Sequence, residues 1–141
     1  MLVTSAVLLL LLPDPSLSTQ EVHQWPPDSV RRPGESAHFS CSHSISDYDR
    51  VFWYKQTEDG AFVCLGYLNV NFPNVEPTFE ENVSMGGDGR SNGTLTVWKV
   101  SERDAAVYFC AAGRHNAACR CSPAQKPAAA SYCHHETSQH L

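Results

Sequence analysis

The chain has 141 residues, a formal net charge of −5 and six cysteines. That length holds one domain of about 100–120 residues plus its ends rather than two domains. The acidic balance, with no basic stripe, gives nothing that encourages a nucleic-acid partner, and none is expected. Six cysteines behind an apolar N-terminus place the chain in an oxidising compartment.

Leu2 to Leu12 is apolar apart from Thr4 and Ser5, Pro13 breaks the run, and Ser16-Leu17-Ser18-Thr19 follows. Residues 1–19 read as a secretory signal peptide, although no basic residue precedes the apolar core. The run is shorter than the roughly 20 apolar residues that cross a bilayer. No later stretch is apolar enough either, so the chain as written is expected to be secreted, without an anchor of its own.

Residues 20–113 read as a domain of short strands. Pro33-Gly34 signals a turn. From Ser36 to Ser42, Ala37, Phe39 and Cys41 share one face, and His38 with the serines takes the other, the period of a half-buried strand. Val51 and Trp53 point inward on the next predicted strand; Phe52, Tyr54 and Gln56 point outward. Glu58-Asp59-Gly60 is a turn, and Phe62 to Tyr67 the strand after it. Leu95 and Val97 are inward in Thr94–Val97, and Ala106, Tyr108 and Cys110 form the last inward set. Short strands between turn signals, with no helical period, give an all-β sandwich. The outward residues Phe52, Tyr54, Gln56, Tyr67 and Phe109 share one sheet face. An apolar face of this kind marks a partner surface, unless the chain's own loops cover part of it.

Cys41…Trp53…Cys110, with Tyr108 two residues before the second cysteine, resembles the immunoglobulin V-type framework. The resemblance implies a β-sandwich with Greek-key connections and a Cys41–Cys110 disulfide between the sheets. Trp53, Leu95 and Tyr108 fill its core, and the Tyr108 hydroxyl turns back to the Glu102–Asp104 turn. Trp53-Tyr54-Lys55-Gln56, Leu65-Gly66-Tyr67, Gly87-Asp88-Gly89-Arg90, Asn92-Gly93-Thr94-Leu95-Thr96-Val97 and Asp104-Ala105-Ala106-Val107-Tyr108-Phe109-Cys110-Ala111-Ala112 resemble a T-cell receptor variable segment, most like a β chain. That similarity runs from Glu21 to Gly113.

Membership of this family implies an antigen-receptor role in adaptive immunity. A second, α-type variable domain would pair across Phe52, Tyr54, Gln56, Tyr67 and Phe109, with Gln56 hydrogen-bonding over the interface. Peptide held by a major histocompatibility molecule would meet three loops: Ser44 to Asp49, Asn69 to Glu76, and the segment opening at Ala111. Ser46, Asp47, Tyr48, Asn69, Asn71, Asn74, Ala111 and Ala112 are the expected contacts, polar and aromatic as paratopes are. A signalling complex would be reached only through constant and membrane-spanning regions joined to this segment, which would hold it on the extracellular face of the plasma membrane. A non-rearranging innate V-set receptor or soluble decoy is the alternative.

Some residues depart from that pattern or add to it. In the family Asp104 meets a basic residue, and Asn82 stands in its place, with Arg103 or Arg90 as substitutes. Asn82-Val83-Ser84 and Asn92-Gly93-Thr94 are glycosylation sequons. Asn92, expected in a turn, is the better acceptor; Asn82 is expected in or beside a strand. Cys64 reads as a small buried hydrophobe rather than a reactive thiol. Trp98 faces opposite to Val97, with no sequence rationale.

After Cys110 the family continues through a third loop, Phe-Gly-x-Gly and a final strand. Residues 114–141 contain no such motif, so they are expected to be irregular and to leave the sandwich without a regular final strand. One reading of Cys119, Cys121, Cys133, His134 and His135 is a metal site, but the paired spacing of structural zinc folds is missing. Another is a short tail with extra disulfides and one cysteine left over. The preferred reading is a translated recombination signal of an unrearranged segment. His115-Asn116-Ala117 can be encoded by a heptamer variant, and Ala124-Gln125-Lys126-Pro127 by the nonamer ACAAAAACC, at the longer spacer distance. No metal, cofactor or enzyme activity is expected: no nucleophile elbow, phosphate loop or carboxylate pair stands out, and His23, His38 and His43 fall on or beside solvent faces.

Overall fold

The computed structural model describes residues 22–114 and 137–140, which form nine β-strands in two antiparallel sheets. The strands are β1 Val22–Trp25, β2 Ala37–His43, β3 Arg50–Gln56, β4 Phe62–Asn69, β5 Phe72–Val75, β6 Val83–Asp88, β7 Asn92–Val97, β8 Val107–Gly113 and β9 Thr137–His140. One sheet runs β1-β2-β7-β6 and the other β5-β4-β3-β8-β9, so β2–β7 and β3–β8 are neighbours only through crossovers between the sheets. The predicted signal peptide and the tail residues Cys119, Cys121, Cys133, His134 and His135 lie outside the described residues. So does the sequence compatible with a recombination signal.

Alternation builds the core as the sequence predicts. Ala37, Phe39 and Cys41 of β2, Val51 and Trp53 of β3, Leu95 and Val97 of β7, and Tyr108 and Cys110 of β8 are all buried in one cluster. The Cys41–Cys110 disulfide joins β2 of one sheet to β8 of the other. Closing 69 residues of chain removes unfolded-state entropy equivalent to about 4 kcal/mol. Phe39 stacks on Tyr108 with ring centroids 5.3 Å apart and meets Trp53 at 6.5 Å.

Polar groups fasten this core at two points. The Tyr108 hydroxyl donates to the Asp104 carbonyl over 2.9 Å. Burial, reinforced by the nearby Asp104 charge, pushes the Tyr108 hydroxyl above the ordinary tyrosine range. Asp104 itself accepts from the Ser101 backbone N–H (2.8 Å) and hydroxyl (3.2 Å). This corrects the expected partnership with Asn82, Arg103 or Arg90: the short turn over Glu102–Asp104 brings Ser101 back to the carboxylate, while Arg90 pairs with Asp88 at 2.7 Å. The second point is Gln24, missed in the sequence. Buried on β1, its amide donates to the Tyr108 carbonyl (3.1 Å) and accepts from the Cys110 N–H (2.9 Å). A side-chain amide carries the same donor and acceptor as a peptide unit, so Gln24 pairs with β8 as a one-residue strand would.

Strand β4 is irregular. Its register against β3 shifts between Trp53 and Tyr54, where Gly66 faces Trp53 but Cys64 faces Tyr54. Gly66 has φ +140°, and a Cβ there would lie 2.3 Å from the Asn74 carbonyl oxygen of β5. Only glycine satisfies both demands. The shift puts Phe62 opposite Gln56, on the outward face.

The largest correction concerns the end of the sandwich. The expectation of no regular final strand is overturned for Thr137–His140, which pairs antiparallel with β8, Cys110 opposite Thr137 and Val107 opposite His140. An unpaired β8 would present a row of free N–H and C=O groups. Backbone pairing satisfies them whatever the side chains are, so no Phe-Gly-x-Gly motif is needed.

Candidate functional site

The expected partner surface is the outer face of the five-stranded sheet, where register settles which side chains meet. Tyr67, Phe52 and Ala111 lie in one row across β4, β3 and β8; Cys64, Tyr54 and Phe109 in the next; Phe62, Gln56 and Val107 in the third. Phe52 and Tyr67 rings pack at 5.4 Å, Phe62 and Phe109 at 5.4 Å, and the Arg50 guanidinium sits 5.3 Å from the Tyr67 ring centre. Tyr54, Gln56, Tyr67 and Phe109 are partly buried on this face. Gln56 reaches the Gly60 carbonyl at 3.5 Å.

Phe52 departs from the expectation. It is 1% exposed and forms a small second core with Ala111, under Tyr54 and Tyr67. Alternation fixes the side on which a residue points but not whether its neighbours cover it, and the large rings beside Phe52 do. Phe62 and Arg50 were not read as members of this face; the signal for Phe62 is hidden by the β4 irregularity. Cys64, expected to be a buried hydrophobe, is only partly buried and is disulfide-bonded.

The expected ligand-facing residues collect at one end of the sandwich. Three turns are tied there through backbone bonds: Asp49 N–H to Gly113 O (3.2 Å), Val70 N–H to Asp49 O (2.8 Å) and Gly89 N–H to Val70 O (2.6 Å). Gly89 permits this convergence, because a Cβ there would lie 2.5 Å from the Asp49 carbonyl. Ser46 and Asp47 are exposed in a turn, with Asp47 at φ 67°. Tyr48 packs back on the core, 6.0 Å from the His43 ring.

His43, expected on or beside a solvent face, is buried, because the β2 alternation continues through it. Its Nε2 lies 2.8 Å from the Gly89 carbonyl and its Nδ1 accepts the Ile45 N–H at 3.2 Å. A carbonyl only accepts, so Nε2 carries the hydrogen, and the ring pins the first loop to the Gly89 turn.

The other two loops are corrected. Asn69 to Glu76 is mostly a hairpin: Asn69 ends β4, Asn71 is exposed in the turn, and Asn74 is exposed within β5, its amide donating to the Phe72 carbonyl. Ala111 and Ala112 are fully buried strand residues, Ala111 on the outer face and Ala112 in the main core. Of the two sequons, Asn92 is placed differently from the expected turn, while Asn82 stands beside a strand as expected. Asn92 begins β7, paired with Asp88 and Ser42, and Asn82 lies in the turn before β6; both are exposed.

Among the described residues no reactive constellation is gathered. An open cleft of about 410 Å³ between Gln56–Gly60 and Ala105–Val107 has Glu58 as the titratable side chain in its lining. Among the described residues no three His, Cys, Asp or Glu side chains could together hold a metal ion, and no helix is long and apolar enough to cross a membrane.

Comparison with known proteins agrees with this architecture. The family model described as the immunoglobulin V-set domain matches residues 26–120. Human T cell receptor beta variable 12-5 is 31% identical over 108 residues, covering 76% of this chain and 92% of the relative. Human T cell receptor beta variable 7-2 is 30% identical over 91 residues, covering 64% of this chain and 78% of the relative. A chain solved in work on T cell specificity and activation by the superantigen toxic shock syndrome toxin-1 matches with a TM-score of 0.62. It is 21% identical and covers 67% of this chain and 82% of its own, a likeness of fold. The chain therefore belongs to the immunoglobulin V-set family and is homologous to T cell receptor beta variable segments.

Proposed function

We propose that the domain is the β-type half of an antigen receptor. An α-type variable domain packs on the outer face of its five-stranded sheet, and the turns tied at one end contribute to recognition of peptide presented by a major histocompatibility molecule. The observation that carries this reading is the aromatic face of Tyr54, Phe62, Tyr67 and Phe109, packed over the buried Phe52 and only partly covered by the domain itself. A stable complex buries about 800 Å² on each partner around an apolar centre, and this face offers such a centre. Ser46, Asp47 and Asn71 supply exposed polar contacts on a rigid end. The domain works on the extracellular side, on the plasma membrane when joined to a constant region.

The test is co-expression with α-type variable domains followed by gel filtration. Tyr54→Lys with Phe109→Lys abolishes the heterodimer while the isolated domain keeps its melting temperature. An unchanged heterodimer overturns the pairing face.

Strand β9 favours a second reading, the non-rearranging innate receptor or soluble decoy, because the chain's own residues 137–140 complete the sheet. Transcripts joining this segment to J and constant exons support the first reading; an unjoined message encoding residues 137–140 supports the second.

A further inference from the structure

The outer face of the four-stranded sheet is polar, with His38, Ser40 and Ser42 of β2 and Thr94 and Thr96 of β7. Two large apolar side chains interrupt it, Trp25 of β1, opposite Ser40 and 68% exposed, and Trp98 just past β7. Trp98 is 45% exposed, yet it is not loose: its Nε1 donates to the Ser84 hydroxyl at 3.0 Å, and His38 meets its ring edge-on at 6.2 Å and 88°. An indole held in one orientation and left half in water offers a fixed apolar face to whatever is attached beside it.

Asn82 is the residue beside it. The Trp98 N–H donates to the Asn82 carbonyl at 2.7 Å. Val83 pairs with Val97 on the inward side and Ser84 with Thr96 on the outward side, so Asn82 and Trp98 face outward together as cross-strand neighbours. Side chains so placed have Cβ atoms about 5 Å apart. Asn82 is exposed and makes no side-chain hydrogen bond among the described residues, Asp104 having found Ser101 instead. It also opens the sequon Asn82-Val83-Ser84, in which Ser84 both supplies the hydroxyl read by the transferase and anchors the indole. Asn92, the other sequon asparagine, is paired with Asp88 and Ser42, neither of them aromatic.

We infer that Asn82 carries an N-linked glycan whose first N-acetylglucosamine lies on the Trp98 indole, covering the outer face of the four-stranded sheet. One face of a pyranose presents C–H groups, which an indole's electron-rich face attracts while water leaves both surfaces. The glycan also stands at the start of β6, the edge strand of its sheet, where a bulky polar group blocks edge-to-edge pairing. The inference needs only passage through the secretory pathway and is independent of what the opposite face binds.

The test uses the full chain secreted from mammalian cells held to high-mannose glycans. Peptide mapping shows Asn82 occupied. Endoglycosidase H, which leaves the first sugar attached, changes the melting temperature by less than about 1 °C, whereas complete removal by peptide N-glycosidase F lowers it by about 4 °C. In Trp98→Ala the two treatments become equal, and in Asn92→Gln the difference persists. Ser84→Thr, which keeps the hydroxyl and the sequon, behaves as wild type. Should Trp98→Ala not be secreted, the acetyl methyl resonance of the Asn82-linked sugar in the unsubstituted protein decides, shifted upfield by the indole ring current. An unmodified Asn82, a loss on full deglycosylation that survives in Trp98→Ala, or an unshifted acetyl methyl overturns the inference.

Discussion

The two sheets share one core but turn opposite exteriors to their surroundings. Outside β4, β3 and β8 lie two aromatic pairs, Phe52–Tyr67 and Phe62–Phe109, with Phe52 and Ala111 fully covered. Outside β2 and β7 lie serines, threonines and His38, with Trp98 on its Ser84 anchor and the exposed Trp25 of β1 beside Ser40. Both exteriors arise from the same alternation and the same Cys41–Cys110 link. The difference teaches that inward positions report the fold, while outward positions set the character of each face: broadly aromatic on one side, mostly polar on the other.

The strongest way to break the comparison is to remove what the faces share. Trp53→Ala takes a fully buried indole off the disulfide and costs about 3–5 kcal/mol, and Cys110→Ser costs a similar amount. Secreted folded protein is lost in both, and normal secretion and melting of either variant contradicts the core assignment. Next comes the contrast itself. Phe52→Ala is expected to cost about 3 kcal/mol in urea unfolding of the unpaired domain, because Phe52 is covered by its own sheet. Thr96→Ala, at an outward position of the other sheet, stays within about 0.5 kcal/mol. Equal losses erase the distinction between the faces.

Smaller effects sharpen it. Tyr108→Phe removes the hydroxyl bond to Asp104 and costs about 1 kcal/mol. Its pH signature has a definite sign. The folded state holds the Tyr108 proton more tightly than the unfolded chain, so this contribution is full below the unfolded value of 10.0 and falls as pH rises above it. Alkaline melting of Tyr108→Phe is therefore shallower than that of the wild type. The smallest effect belongs to the Asp88–Arg90 pair on the surface of the polar sheet. Hydrogen bonds from the Arg90 side chain and backbone, with its charge, lower the Asp88 carboxyl from 3.8 to about 2. That contribution is present above the unfolded value and is lost as pH falls from 3.8 through about 2. Asp88→Asn leaves melting at neutral pH unchanged within error, as exposed pairs do, and flattens the acid limb in this window.

Legibility followed physical cause. The core residues were readable because period two repeats along Ala37-Phe39-Cys41, Val51-Trp53 and Leu95-Val97. The same rule reaches His43 and Ala112, but family loop boundaries and a general expectation of solvent-facing histidines displaced it there. Phe62 was not assignable to a face, since the extra residue at Leu65-Gly66 reverses the parity of β4. Gln24 was invisible as a β8 partner because its bonds span more than 80 residues of chain.

By itself the sequence determined the inside of the molecule: two sheets, a disulfide, an indole and a tyrosine, all encoded by side-chain periodicity and residue type. Tertiary structure alone decided what depends on neighbours distant in the chain. It buried Phe52 under Tyr54 and Tyr67, joined Gln24 to β8, set Asn82 beside Trp98 and closed β8 with Thr137–His140. Periodicity is a local property of one strand, whereas cover and pairing depend on which strands lie alongside, and backbone hydrogen bonds make that choice without consulting a motif.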